Sequence, residues 1–158
     1  MLREYQQRTI DQLYKWFADG HKGHPCIELP TGSGKSHIIA AVCQDAKMQW
    51  PDTRILMLTH VKELIEQNAQ KLRQHWPEVP LGIYSAGLGS KRFDDITFGS
   101  IQSIRRVDPA ELGHFDLVLI DECHLVSHKQ EGGYRKLIDA LARINPAMRV
   151  IGLTATPY

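Results

Sequence analysis

The sequence predicts an α/β fold, a mostly parallel central sheet with helices on both faces. Two observations carry this. Ile55-Leu56-Met57-Leu58 and Leu117-Val118-Leu119-Ile120 are continuous apolar runs, as expected of strands covered on both sides. Such runs alternate along the chain with segments whose apolar residues recur at helical spacing, which implies right-handed crossovers between parallel strands. A length of 158 residues with 42% hydrophobic residues suits one domain with a sizeable core.

Residues 5–18 place Ile10, Leu13, Tyr14 and Phe17 on one helical face, and Gly20 to Pro25 end that helix. Cys26–Leu29 reads as a short buried strand, and residues 35–48 as a helix with Ile39, Val42, Cys43 and Ala46 inward. Pro51-Asp52 is a turn before the strand Ile55–Leu58. Residues 61–75 form a helix that buries Val61, Leu64, Ile65, Ala69 and Leu72. Leu81–Tyr84 and Ile96–Phe98 are strands, with a polar, Gly-rich loop over Ala86–Asp95 between them. A short helix over Ile101–Arg106 precedes the strand Leu117–Ile120. His124–Gly133 reads as a polar loop, Tyr134, Leu137, Ile138 and Leu141 mark a helix, and Val150–Leu153 is the last strand.

The charge balance of +1 is not the footprint of a strongly basic nucleic-acid-binding domain. No apolar run approaches membrane-spanning length and Met1–Tyr5 carries no signal-peptide core, so a soluble, cytoplasmic protein with no membrane partner is expected. Cys26, Cys43 and Cys123 are too few and scattered for a disulfide framework or a four-ligand zinc site.

Ligands of such sheets bind beyond the carboxyl ends of the strands. The chemistry of this chain falls there. Pro30-Thr31-Gly32-Ser33-Gly34-Lys35-Ser36 is a loop of glycines and small residues between a strand and a helix. Its glycines let successive N–H groups turn inward, and the helix aims its positive end at the same point. Lys35, expected as a solvent-facing charge, can reach β- and γ-phosphates, and the Ser36 hydroxyl can ligate Mg²⁺. The full pattern G-x-x-x-x-G-K-[ST] asks for Gly at position 29, where this chain has Leu29. Asp121-Glu122 closes an apolar strand, where two carboxylates are costly without a cation. Asp121 would hold Mg²⁺ through its waters and Glu122 would orient or deprotonate an attacking water.

Pro30–Ser36, Asp121-Glu122-Cys123-His124 and Thr154-Ala155-Thr156-Pro157 resemble motifs I, II and III of superfamily 2 helicases of the DEAD/DEAH-box group. The resemblance runs from Leu2 to Pro157, and Leu29 is an ordinary variant within it. It implies a RecA-like P-loop NTPase domain over residues 1–158, with ATP and Mg²⁺ as cofactors and Lys35, Asp121 and Glu122 as catalytic residues. It also implies that His124, Thr154 and Thr156 couple the ATP site to nucleic acid.

Weaker likenesses extend the set. Leu2-Arg3-Glu4-Tyr5-Gln6 resembles the Q motif, in which Gln6 would pair with the adenine edge and Arg3 or Tyr5 stack on its ring. Thr59-His60-Val61-Lys62 resembles motif Ia, and Phe98–Ser103, with Ser100 and Gln102, resembles a later strand-contacting motif. The plain alternative is that the hydroxyls of Thr59 and Ser100 cap helices. In its details the sequence looks closest to RadD-type (YejH-like) bacterial DNA helicases, with roles in DNA repair, and more distantly to helicase subunits of type III restriction enzymes.

The resemblance implies a partner strand of nucleic acid, DNA in preference to RNA, and a second RecA-like domain absent from this chain that carries arginine fingers. The alternatives are an RNA-dependent ATPase, a small-molecule P-loop kinase and a module that uses ATP only as a switch. A kinase gives no role to Asp121–His124 or Thr154–Thr156.

Overall fold

The computed structural model describes the backbone of residues 4–18, 26–30, 34–121 and 128–156. The elements are α1 (Glu4–Ala18), β1 (Cys26–Pro30), α2 (Lys35–Gln49), β2 (Ile55–Thr59), α3 (Lys62–His75), β3 (Leu81–Ser85), β4 (Ser90–Lys91), β5 (Ile96–Ser100), α4 (Ile101–Ile104), α5 (Pro109–Leu112), β6 (Leu117–Asp121), α6 (His128–Ile144) and β7 (Arg149–Thr156).

The strands form one seven-stranded sheet in the order β1-β7-β6-β2-β5-β3-β4. Every pairing is parallel except that of β3 with β4. Side chains alternate across the sheet, and two cores result. In β2, Ile55 and Met57 face a core with Ile10, Leu13, Ile38, Ile39, Ile65 and Leu72, contributed by α1, α2 and α3. Leu56 and Leu58 face the opposite core with Ile101, Ile104, Leu112, Leu137 and Leu141, contributed by α4, α5 and α6. The continuous apolar run thus serves both faces at once, each fully buried aliphatic side chain contributing about 1.5–3 kcal/mol. Register sets the carboxyl ends side by side, with Thr59 opposite Ser100, Asp121 opposite Leu153 and Pro30 opposite Thr156.

Three expectations are corrected. The segment Ala86–Asp95 is not all loop. Ala86–Leu88 is a 3₁₀ turn, and Ser90–Lys91 pairs back on Tyr84-Ser85 as a short antiparallel strand. Two residues are too few to show a strand period in the sequence. Helix α6 begins at His128, inside the expected loop. Its opening turns are polar and hold Gly132-Gly133, a composition that argues against helix until packing of Tyr134, Leu137 and Leu141 decides it. Strand β7 continues through Thr154-Ala155-Thr156, because β1 is there to pair with it.

Gly99 has a packing reason. A Cβ there would stand 2.2 Å from Ile104 Cδ1 and 2.9 Å from the Tyr84 carbonyl oxygen, so only glycine lets α4 close onto β5.

Candidate functional site

Helix α2 opens at the carboxyl end of β1. Gly34 precedes it at φ 79°, ψ 42°, a left-handed conformation that glycine adopts without penalty. Its carbonyl accepts from the His37 and Ile38 amides at 2.9 and 3.2 Å. Among the described residues no side-chain hydrogen bond caps this end of the helix, and the first turn carries Lys35 and Ser36 with no acidic residue. The positive end of the helix therefore stands uncompensated by any carboxylate of its own first turn.

A carboxylate reaches it from β6. Lys35 Nζ lies 2.8 Å from Asp121 Oδ1, an ion pair rather than an aligned hydrogen bond. Asp121 is fully buried and the Lys35 side chain is 14% exposed. The expectation of a solvent-facing Lys35 is corrected: the ammonium is folded inward because a buried carboxylate needs a cation. The other oxygen, Oδ2, accepts from Asn68 Nδ2 at 2.7 Å. Asn68 belongs to the inward face of α3 with Ile65, Ala69 and Leu72 and is 1% exposed.

Lys35 and Asp121 are thus brought together from elements 86 positions apart, as the phosphate-site reading requires. Ser36 follows Lys35 in the first turn of α2. Thr154 is buried in β7, one residue beyond the register partner of Asp121 and opposite Glu28 of β1. The residues suit Mg²⁺. A hydroxyl and a carboxylate are hard oxygen donors, and this ion takes one or two protein oxygens and completes its shell with water and phosphate. Asn68 Oδ1, buried with no hydrogen-bond partner, adds an unsatisfied acceptor beside the carboxylate. Among the described residues no cluster of three or more His, Cys, Asp or Glu offers a closed protein cage for a metal.

Arg3, Thr31, Gly32, Ser33, Glu122 and His124 lie outside the described residues, as do the side chains of Tyr5, Gln6, Pro30 and Thr156. The backbones of Tyr5 and Gln6 belong to α1, and those of Pro30 and Thr156 are paired across β1 and β7.

Thr59, His60, Lys62, Ser100 and Gln102 gather at the ends of β2 and β5. Thr59 is fully buried, and its Oγ1 accepts from the Val61 amide at 3.2 Å. Ser100 Oγ caps α4 by accepting from the Ser103 amide at 3.2 Å. Both hydroxyls therefore shape the backbone, while Lys62 and Gln102 are exposed. Gln102 Nε2 donates to the His60 carbonyl at 3.4 Å and ties the two turns together.

Asn68 is the residue that the sequence reading missed. A signal was present: an amide three residues after Ile65 and four before Leu72 interrupts the apolar stripe of α3.

A mostly parallel sheet with a glycine-led helix whose first residue, Lys35, pairs with the strand-end carboxylate of Asp121 defines a nucleotide-binding domain of the P-loop class. The chain belongs to the family of type III restriction enzyme res subunits, whose match spans residues 1–158. Over 153 residues it is 28% identical to the mouse "ATP-dependent RNA helicase DHX58", covering 83% of this chain and 22% of that protein. Over 151 residues it is 26% identical to the "ATP-dependent DNA helicase mph1" of Sclerotinia sclerotiorum, covering 87% and 12%. Its fold matches the Sulfolobus solfataricus SWI2/SNF2 ATPase core, solved with dsDNA, at a TM-score of 0.75 and 20% identity, covering 99% of this chain and 32% of that one. These findings bear out the expected superfamily 2 helicase-type ATPase domain. The chain spans less than a third of the length of each of these relatives.

Proposed function

We propose that this chain is the ATP-binding lobe of a DNA helicase or translocase, in which ATP hydrolysis drives movement on DNA. The observation that carries the reading is the Lys35–Asp121 pair at the mouth of α2, a buried anion and a cation held where phosphate and Mg²⁺ would share them. On phosphate binding, Lys35 exchanges a carboxylate oxygen for β- and γ-phosphate oxygens. Ser36 and Asp121 would hold Mg²⁺, which neutralises charge developing on the transferred phosphoryl group. Glu122, next to Asp121, is the proposed base for the attacking water. Gln6 would select adenine, with Arg3 or Tyr5 against its ring, and the loop Pro30–Ser36 would wrap the phosphates. His124, Thr154 and Thr156 would carry the state of that site to the strand, gripped near Thr59, His60, Lys62, Ser100 and Gln102 by contacts that position a backbone without reading bases. A second RecA-like domain would close over the nucleotide, supply arginine fingers and complete the clamp. The proposed location is the cytoplasm.

An RNA-dependent ATPase is the second reading, favoured by the similarity to a protein named as an RNA helicase. Steady-state ATP turnover by the full-length protein in Mg²⁺, alone and with single-stranded DNA or RNA, tests both, the lobe alone being expected to turn ATP over weakly or not at all. Stimulation by DNA above RNA supports the first reading and the reverse order supports the second. Turnover that ignores both polymers contradicts the coupling.

A further inference from the structure

Asn68 is a polar side chain where α3 otherwise buries Ile65, Ala69 and Leu72. Its amide nitrogen donates to Asp121 Oδ2 at 2.7 Å, while its own Oδ1 is buried with no hydrogen-bond partner. A residue kept for stability would have both ends matched, because an unpaired buried acceptor is costly. The amide orientation is fixed by chemistry: an ionised carboxylate only accepts, so nitrogen must face Asp121. With Oδ2 tethered to α3, rotation of the Asp121 carboxylate about its Cβ–Cγ bond is restrained, and Oδ1 is presented to the first turn of α2, where Lys35 meets it at 2.8 Å.

We infer that Asn68 is a positioning residue for Asp121: it locks the carboxylate so that one oxygen faces the Mg²⁺–phosphate site. The inference rests on the nucleotide reading above. Outer partners that orient a ligating carboxylate govern metal affinity without touching the metal.

The test is calorimetric titration of the protein with ADP, with Mg²⁺ and with EDTA, for wild type, Asn68→Leu and Asn68→Ala. Leu keeps most of the volume and Ala does not, yet both lose the donor. Both variants should bind metal-free ADP as wild type does, while the tightening of ADP by Mg²⁺ falls about ten- to a hundredfold. A merely structural role would lower the melting temperature and leave the Mg²⁺ effect intact. The inference is overturned if either folded variant keeps the wild-type Mg²⁺ effect, or if metal-free affinity drops by the same factor. If wild type binds no ADP in either buffer, the nucleotide reading fails first and takes this inference with it.

Discussion

Two buried asparagines mark opposite ends of the sheet. Asn145, 6% exposed, sits by the amino end of β6. Its Nδ2 donates to the Phe115 carbonyl at 2.9 Å and reaches Asp116 Oδ1 at 3.3 Å, and its Oδ1 accepts from the Ala147 amide at 3.1 Å. Around it, Asp116 Oδ2 accepts from the Arg54 amide at 2.9 Å, and the Arg54 guanidinium lies 4.5 Å over the Phe115 ring. Donors and acceptors there are matched within the chain. Asn68, at the carboxyl end, has a single partner and one orphaned oxygen, and that partner is a buried carboxylate held by a single described cation. The difference teaches how to tell a polar group that closes a structure from one that holds a group ready for a ligand.

The largest effect should come from breaking the ion pair. Lys35→Ala leaves Asp121 buried with Asn68 alone, which should cost about 3–5 kcal/mol of stability as well as nucleotide binding. Chemical denaturation of the single variant and of Lys35→Ala/Asp121→Asn checks this, because neutralising both partners should restore most of the loss. If the single variant is as stable as wild type, the pair is not desolvated as the structure has it.

At the other end, Asn145→Ala should cost about 2 kcal/mol by stranding the Ala147 amide and the Phe115 carbonyl, with ADP affinity unchanged. Loss of nucleotide binding without loss of stability would erase the contrast between the two ends.

Much of this was legible in the sequence. Continuous apolar runs announced doubly covered strands, and the order of Gly34-Lys35-Ser36, Asp121 and Thr154 placed the chemistry at the strand ends. What escaped was what only packing decides. The short strand β4 has no period to read, and the polar start of α6 holds two glycines. Lys35 looked solvent-facing because its partner lies 86 positions away, and Asn68 looked like one more residue of an amphipathic helix.

A smaller effect concerns pH, away from the site. Burial pushes the Cys43 thiol up from 9.0 to about 12. Burial, then the hydrogen bond to Asp45, also raises Tyr14. Above pH 9 the unfolded thiol loses a proton that the folded one keeps. Stability should therefore be level with respect to this group below pH 9 and fall by about 1.4 kcal/mol per pH unit between there and about 12. Denaturation of Cys43→Ala across that range should show a shallower alkaline slope than wild type. Equal slopes would mean that the thiol is not shielded.

The smallest effect is expected of Tyr14→Phe, which removes the 2.6 Å hydrogen bond to Asp45, near the end of α2 opposite to Lys35. A loss of about 1 kcal/mol with unchanged nucleotide affinity is the expected outcome of parallel melting and binding curves.

The most direct test of the contrast is calorimetry of Mg²⁺–ADP with wild type, Asp121→Asn and Asn145→Ala. Wild type and Asn145→Ala should bind alike, and Asp121→Asn should retain only the affinity wild type shows without metal. Equal binding by wild type and Asp121→Asn, or equal weakening by both variants, would contradict the assignment of the carboxyl end of the sheet as the nucleotide site.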